Sequence, residues 1–234
     1  MTSPEHAHAD LEIRVDALSA AVGIAERRLP GPPTVAAQDL VERVRGRLRH
    51  GTSHTVVALA GPTGAGKSTL FNALTGAEVS STGVRRPTTS STHAAMWGAD
   101  ASDLLDWLGV DRRHQCEDDP ALDGLVLLDL PDFDSTERTH QIEVDRLVEL
   151  VDLFIWVLDP QKYADQSLHE QYLRPLSGHG EVMRFLLNKA DTIADPSLVV
   201  ADFEMRLVED GISGAVVRAL SATNGDGIEQ AREL

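Results

Sequence analysis

The feature that most constrains this chain is the run Gly61-Pro-Thr-Gly-Ala-Gly-Lys67-Ser68-Thr69, with the apolar stretch Thr55–Ala60 before it and a helical pattern from near Lys67 after it. Strand, glycine-rich loop and helix in that order make a phosphate cradle. The glycines let the backbone wrap closely, so that N–H groups from Thr63, Gly64, Ala65, Gly66, Lys67, Ser68 and Thr69 turn toward one anion. The helix N-terminus adds the positive end of its dipole. Lys67 supplies a mobile full charge for β- and γ-phosphates, and Ser68 a hydroxyl for Mg²⁺.

From Thr52 onward short apolar runs alternate with helical stretches, the pattern of a three-layer α/β fold with a mostly parallel sheet. The predicted strands are Thr55–Ala60, Leu125–Leu130, Leu153–Leu158, Val182–Leu187 and Ala215–Leu220, whose near-continuous hydrophobicity suits burial on both faces. Asp134-Ser-Thr-Glu137 reads as a capping box ahead of Val144, Leu147, Val148 and Val151. Asp195-Pro196 reads as an N-cap and first-turn proline, with Val199, Phe203 and Leu207 inward and Gly211 as the stop. Residues 1–51 form an N-terminal helical extension of two amphipathic helices, about Asp10–Leu29 and Val35–Arg49, broken at Pro30-Gly-Pro-Pro33. Either they lie on the main domain of residues 52–234, or they belong to a helical neck that pairs with sequence beyond this chain.

The cradle does not choose between adenine and guanine; Asn188-Lys189-Ala-Asp191 does. It follows the Val182–Leu187 strand, at the sheet edge where open α/β folds bind ligands. Asp191 can accept from both N1–H and the exocyclic amine of guanine, whereas adenine would leave the carboxylate facing a lone pair. Asn188 is expected to tie this loop to the phosphate loop, and the Lys189 stem to cover the base.

With these motifs in view, the stretch from Thr52 onward resembles the translation-factor class of P-loop GTPases, in the Era-like and bacterial dynamin-like group. The spacing agrees, at about 60 residues from Lys67 to Asp129 and as many again to Asn188. So does Lys67-Ser-Thr-Leu-Phe-Asn-Ala-Leu-Thr-Gly76. The resemblance implies a P-loop NTPase G domain that takes GTP or GDP with Mg²⁺. It places the last guanine motif at Ser221-Ala222-Thr223, with the Ala222 N–H reaching guanine O6. It places switch I between Gly76 and His93, where Thr89 of Pro87-Thr88-Thr89 would ligate Mg²⁺ and take part in catalysis, Thr88 remaining an alternative. Ser68, Thr89 and Asp129 then form the metal set.

Asp129-Leu-Pro-Asp132 resembles the family's Asp-x-x-Gly motif with one departure, Asp132 for glycine. Either the Asp132 side chain turns away, capping the following helix, or the site hydrolyses unusually. Phe133 follows, where some relatives carry the glutamine that orients water, so intrinsic hydrolysis should be slow and raised by a partner. Lys67, Thr89 and Asp132 are the candidate catalytic residues.

Residues Asp100 to Asp123 form an insertion with Trp107 and the acidic run Glu117-Asp118-Asp119, read as a solvated connection carrying a short helix or as a partner surface. Cys116, the one cysteine, reads as an incidental surface thiol, and its being the only one points to a reducing, cytoplasmic setting. With 21 basic against 37 acidic residues and a net charge of -16, the chain disfavours direct nucleic-acid binding. Three roles compete. The first is a dynamin-like assembly GTPase, pairing as a homodimer through its G domain. The second is an Era-like ribosome-associated GTPase, and the third a switch that rarely hydrolyses. Leu234 falls inside the expected last helix, begun at Gly227-Ile228. The expectation is therefore a truncated chain whose natural protein continues into a helical region, with membrane association at the inner face through sequence outside this one.

Overall fold

The computed structural model describes residues 4–29, 31–50, 53–80, 91–132, 146–147 and 150–234. The chain divides into two compact units, Met1–His54 with Ser102–Leu104, and Thr55–Ala101 with Leu105–Leu234. In the first unit, α1 (Pro4–Arg28) and α2 (Pro32–Arg49) pack on each other. Val15, Val22 and Val41 are buried and Leu18, Val44 and Leu48 half-buried, while Leu11 and Leu40 of the predicted stripes remain exposed. Pro32 at the first turn starts α2 with its φ already helical, and the Thr34 hydroxyl donates back to Leu29 O at 2.8 Å. Among the described residues no helix is long and apolar enough to cross a membrane.

The second unit is built on a seven-stranded sheet: β1 (Thr55–Ala60), β2 (His93–Met96), β3 (Arg112–Gln115), β4 (Leu125–Asp129), β5 (Leu153–Leu158), β6 (Met183–Leu187) and β7 (Val217–Ala219). Their order is β3-β2-β4-β1-β5-β6-β7, and β2 runs antiparallel to β4, with β3 parallel to β2. Alternation along β1 sends Val57 and Leu59 to one face and Val56, Ala58 and Ala60 to the other. On the first face, Val57, Leu59, Leu127, Ile155 and Leu186 pack with Leu70, Phe71 and Leu74 of α3 (Lys67–Thr75). Ile228 and Ala231 of a last helix, Ile228–Arg232, join the same cluster. The second face is aromatic. Phe203, from the helix Pro196–Glu209, meets Phe185 edge-on at 5.6 Å, and Trp156 lies 5.4 Å from Phe154. These layers are the predicted three-layer fold.

Asp195 caps the Pro196–Glu209 helix through its carboxylate and the Ser197 N–H, with Phe203 and Leu207 fully buried, Val199 half-buried and Gly211 at φ +89° closing the end. The predicted capping box at Asp134–Glu137 lies outside the described residues.

Two expectations need correction. The insertion carries the expected short helix but is no solvated connection. It supplies α4 (Ser102–Leu108) and the edge strand β3, and Leu105, Leu108 and Val110 are buried. Acidic residues punctuate the stretch, but the apolar ones between them are what the fold encloses. Cys116 is likewise buried, in the cluster with Trp97 and Leu127. That burial pushes its thiol up to about 11.

Candidate functional site

Parallel strands β4, β1, β5 and β6 leave the sheet on one edge, and the loops following them carry the predicted motifs. After β1, Gly61 passes so close to β5 that a Cβ on it would lie 2.1 Å from Val157 O. Gly66 stands at φ +93°, and a Cβ there would lie 2.3 Å from Asn188 Nδ2. Both positions demand glycine, the first for close approach and the second for conformation as well.

Asn188 is the hub. Its Nδ2 donates to Ala65 O at 2.8 Å, and its Oδ1 accepts from the Ala222 N–H at 3.0 Å. One buried carboxamide thus joins the loops after β1, β6 and β7, as expected of it toward the phosphate loop. The Ala222 N–H expected at guanine O6 is committed to Asn188 in this structure. Lys189 takes the left-handed conformation at φ +60° and donates to Gly64 O and, at 3.3 Å, to Asp159 Oδ2. Asp191 and Thr223 are exposed, whereas Ser221 is buried and its hydroxyl accepts from the Asn224 N–H at 3.3 Å.

The phosphate end is charged. Lys67, buried, donates through Nζ to Gly61 O at 2.9 Å, to Pro62 O at 3.5 Å and to Asp132 Oδ1. Asp132 therefore turns into the site and pairs with the loop lysine, which excludes the alternative in which its side chain turns away to cap the following helix. The physical reason is that a buried ammonium draws the nearest carboxylate. Among the described residues Asp132 Oδ2 has no hydrogen-bond partner.

Asp129, fully buried at the end of β4, accepts at Oδ2 from the hydroxyls of Ser68 and Ser80, each at 2.7 Å. Burial pushes its carboxyl up, against the Lys67 ammonium and the two hydroxyls that pull it down. Its Oδ1 is unpartnered among the described residues. A buried orphan carboxylate oxygen beside a serine hydroxyl is a hard, all-oxygen donor pair that fits a Mg²⁺ ion retaining water and phosphate oxygens. Thr89, Thr88 and Phe133 lie outside the described residues.

Four further residues support the site. Ser80 is held by Asn72, whose Oδ1 accepts from the Val79 and Ser80 N–H groups at 3.1 and 2.8 Å and whose Nδ2 donates to Ser80 O. Asn72 stands one helical turn after Ser68, a spacing that could have signalled a shared face. Asp159 turns the chain after β5 by accepting from the Gln161 and Lys162 N–H groups, both at 3.0 Å. Lys162 then reaches Thr63 O at 2.7 Å.

Residues 56–189 match the family described as 50S ribosome-binding GTPase. Comparison with curated protein sequences finds no match. One similar solved structure is Era in complex with MgGDPNP and 16S ribosomal RNA, 18% identical with a TM-score of 0.54, the match covering 76% of this chain and 54% of that one. Another is from an oligomerised bacterial dynamin pair that tethers membranes, 13% identical with a TM-score of 0.54, covering 100% of this chain and 43% of that one. A third is NFeoB from S. thermophilus bound to GDP·AlF4⁻ and K⁺, 18% identical with a TM-score of 0.53, covering 76% and 60%. The chain thus spans about half the length of the first two, and at these identities the likeness is one of fold.

Proposed function

This chain belongs to the 50S ribosome-binding GTPase family, and on that premise we propose that it binds GTP and GDP with Mg²⁺ and hydrolyses GTP slowly, as a dynamin-like assembly GTPase. The observation that carries the nucleotide reading is the Asn188 carboxamide, which ties the phosphate loop at Ala65 to the guanine loop at Ala222. A phosphate cradle and a base-reading aspartate, Asp191, are thereby held on one frame.

Lys67, the loop N–H groups of Thr63–Thr69 and the α3 N-terminus neutralise phosphate charge, and that neutralisation is most of what phosphoryl transfer requires. Ser68 and Asp129, with Thr89, would hold Mg²⁺, which supplies further neutralisation when bound. Phe133 has no group to orient water, so turnover relies on a partner, here a second copy meeting the first across the nucleotide. Residues 1–51 would carry oligomer contacts, and membrane association would come from sequence outside this chain. The dynamin-like role gains support from the bacterial dynamin match, which extends over α1 and α2, and from the net charge of -16, which opposes an Era-like contact with RNA. We place the protein in the cytoplasm, at the inner membrane face when assembled. The Lys67–Asp132 pair favours a second reading, a switch that rarely hydrolyses.

Phosphate release with Mg²⁺, from GTP and from ATP, across a wide range of protein concentration tests this. The expected result is GTP turnover whose specific activity rises with concentration, and ATP turnover lower by about a hundredfold. Concentration-independent turnover sinks the assembly role, bound but uncleaved GTP favours the switch, and equal use of ATP overturns the guanine reading.

A further inference from the structure

Asp132 is the residue at which this chain departs from the motif it resembles, and its carboxylate lies on the one ammonium that the phosphate loop itself provides. We propose that Asp132 determines phosphate chain length: it competes with the terminal phosphate of a nucleoside triphosphate for Lys67, so that the site prefers the diphosphate. The inference rests on the guanine-nucleotide reading above.

An ammonium has three N–H donors. Lys67 already has three acceptors, Gly61 O, Pro62 O and Asp132 Oδ1. A phosphate oxygen that reaches Nζ must therefore displace one of them. The two carbonyls belong to the loop itself and move only with it. Asp132 is the acceptor that can leave, and it is the one that carries charge. If it stays, its carboxylate faces the incoming phosphate in a setting where like charges are poorly screened. If it leaves, a buried carboxylate loses its counter-ion, and its other oxygen has no partner among the described residues.

Asp129 adds a second buried carboxyl that feels the same Lys67 ammonium. The Asp132 carboxylate meets each further phosphate charge, and a triphosphate brings one more than a diphosphate. The backbone gives no reason for the residue type. Among the described residues Lys189 is the one non-glycine with positive φ, so Asp132 occupies ordinary L-residue geometry and accepts substitution without strain.

The test is equilibrium binding of GDP and of the non-hydrolysable analogue GppNHp, with Mg²⁺, to the wild type, Asp132→Asn and Asp132→Gly, each checked for its unfolding midpoint. The wild type should bind GDP about tenfold or more tighter than the analogue. Asp132→Asn, which keeps the size and removes the charge, should bring the two to within about threefold, chiefly by tightening the analogue. Asp132→Gly should do the same, and if it does not fold the asparagine variant decides. A wild type that binds the analogue as tightly as GDP overturns the proposal, as does a ratio unchanged in a folded variant. Failure of both nucleotides to bind the wild type overturns the guanine reading and the inference together, which separates that outcome from an unchanged ratio.

Discussion

The two ends of the nucleotide site are built on opposite principles. At the base end, Asn188 is neutral, and both polar atoms of its carboxamide are matched, one to Ala65 O and one to the Ala222 N–H. At the phosphate end, the ionisable Lys67, Asp129 and Asp132 are buried, and two carboxyl oxygens lack partners among the described residues. The Asn188 frame is complete without ligand. The charged end carries desolvation costs that its own contacts only partly offset, and phosphate with Mg²⁺ would complete it.

The largest expected effect comes from breaking the charged end. Lys67→Met should lower stability without nucleotide by about 3–5 kcal/mol, because it leaves Asp132 buried and unpaired. Adding Asp132→Leu should recover most of that loss while nucleotide binding stays abolished, with urea unfolding and calorimetry as the measurements. If the single variant is as stable as the wild type, the phosphate end is not the conditional part of the molecule.

At the base end, Asn188→Ala should cost about 2–3 kcal/mol, since one carbonyl and one N–H lose their partners. Urea unfolding measures it, and hydrogen exchange at the Ala222 amide should quicken. A loss larger than that of Lys67→Met would invert the comparison.

The smallest effect lies away from both ends, at Cys116. Its thiol has an ordinary value of 9.0 and is raised to about 11 by burial, so the folded chain holds this proton more tightly than the unfolded one. Its contribution to stability is therefore fully present below pH 9.0 and is lost as pH rises toward about 11. The stability difference between wild type and Cys116→Ala should shrink across that window and stay flat below it.

The strands most legible in the sequence were those buried on both faces. Thr55–Ala60 and Leu153–Leu158 were read to the residue, because continuous apolar runs have few other destinations. β2 and β3 were missed. His93–Met96 is four residues long without a β-branched side chain, and Arg112–Gln115 is wholly polar. Such short segments become strands because a neighbour offers a ladder, and at β3, the edge strand, the charged side chains protect the edge.

The same division holds in the site. The phosphate loop and Asn188-Lys-Ala-Asp191 are local motifs whose residue types state their chemistry. Ser80, Asp159 and Lys162 act through contacts that only the folded topology creates. Asp132 was conspicuous as a residue type, but the direction of its side chain depends on a lysine 65 positions away.

The Asn188 hub also bears on the order in which the chain becomes competent during synthesis. The phosphate loop emerges early and has most of its local geometry within a single strand–loop–helix unit. Its lock needs Asn188, after β6, and the lock is filled only when Ala222, after β7, arrives. Parallel strands pair across long stretches of chain, so such contacts form late. On the proposed guanine reading, a nascent chain that has made the cradle is still unable to tell guanine from adenine, and the capacity to discriminate is acquired last.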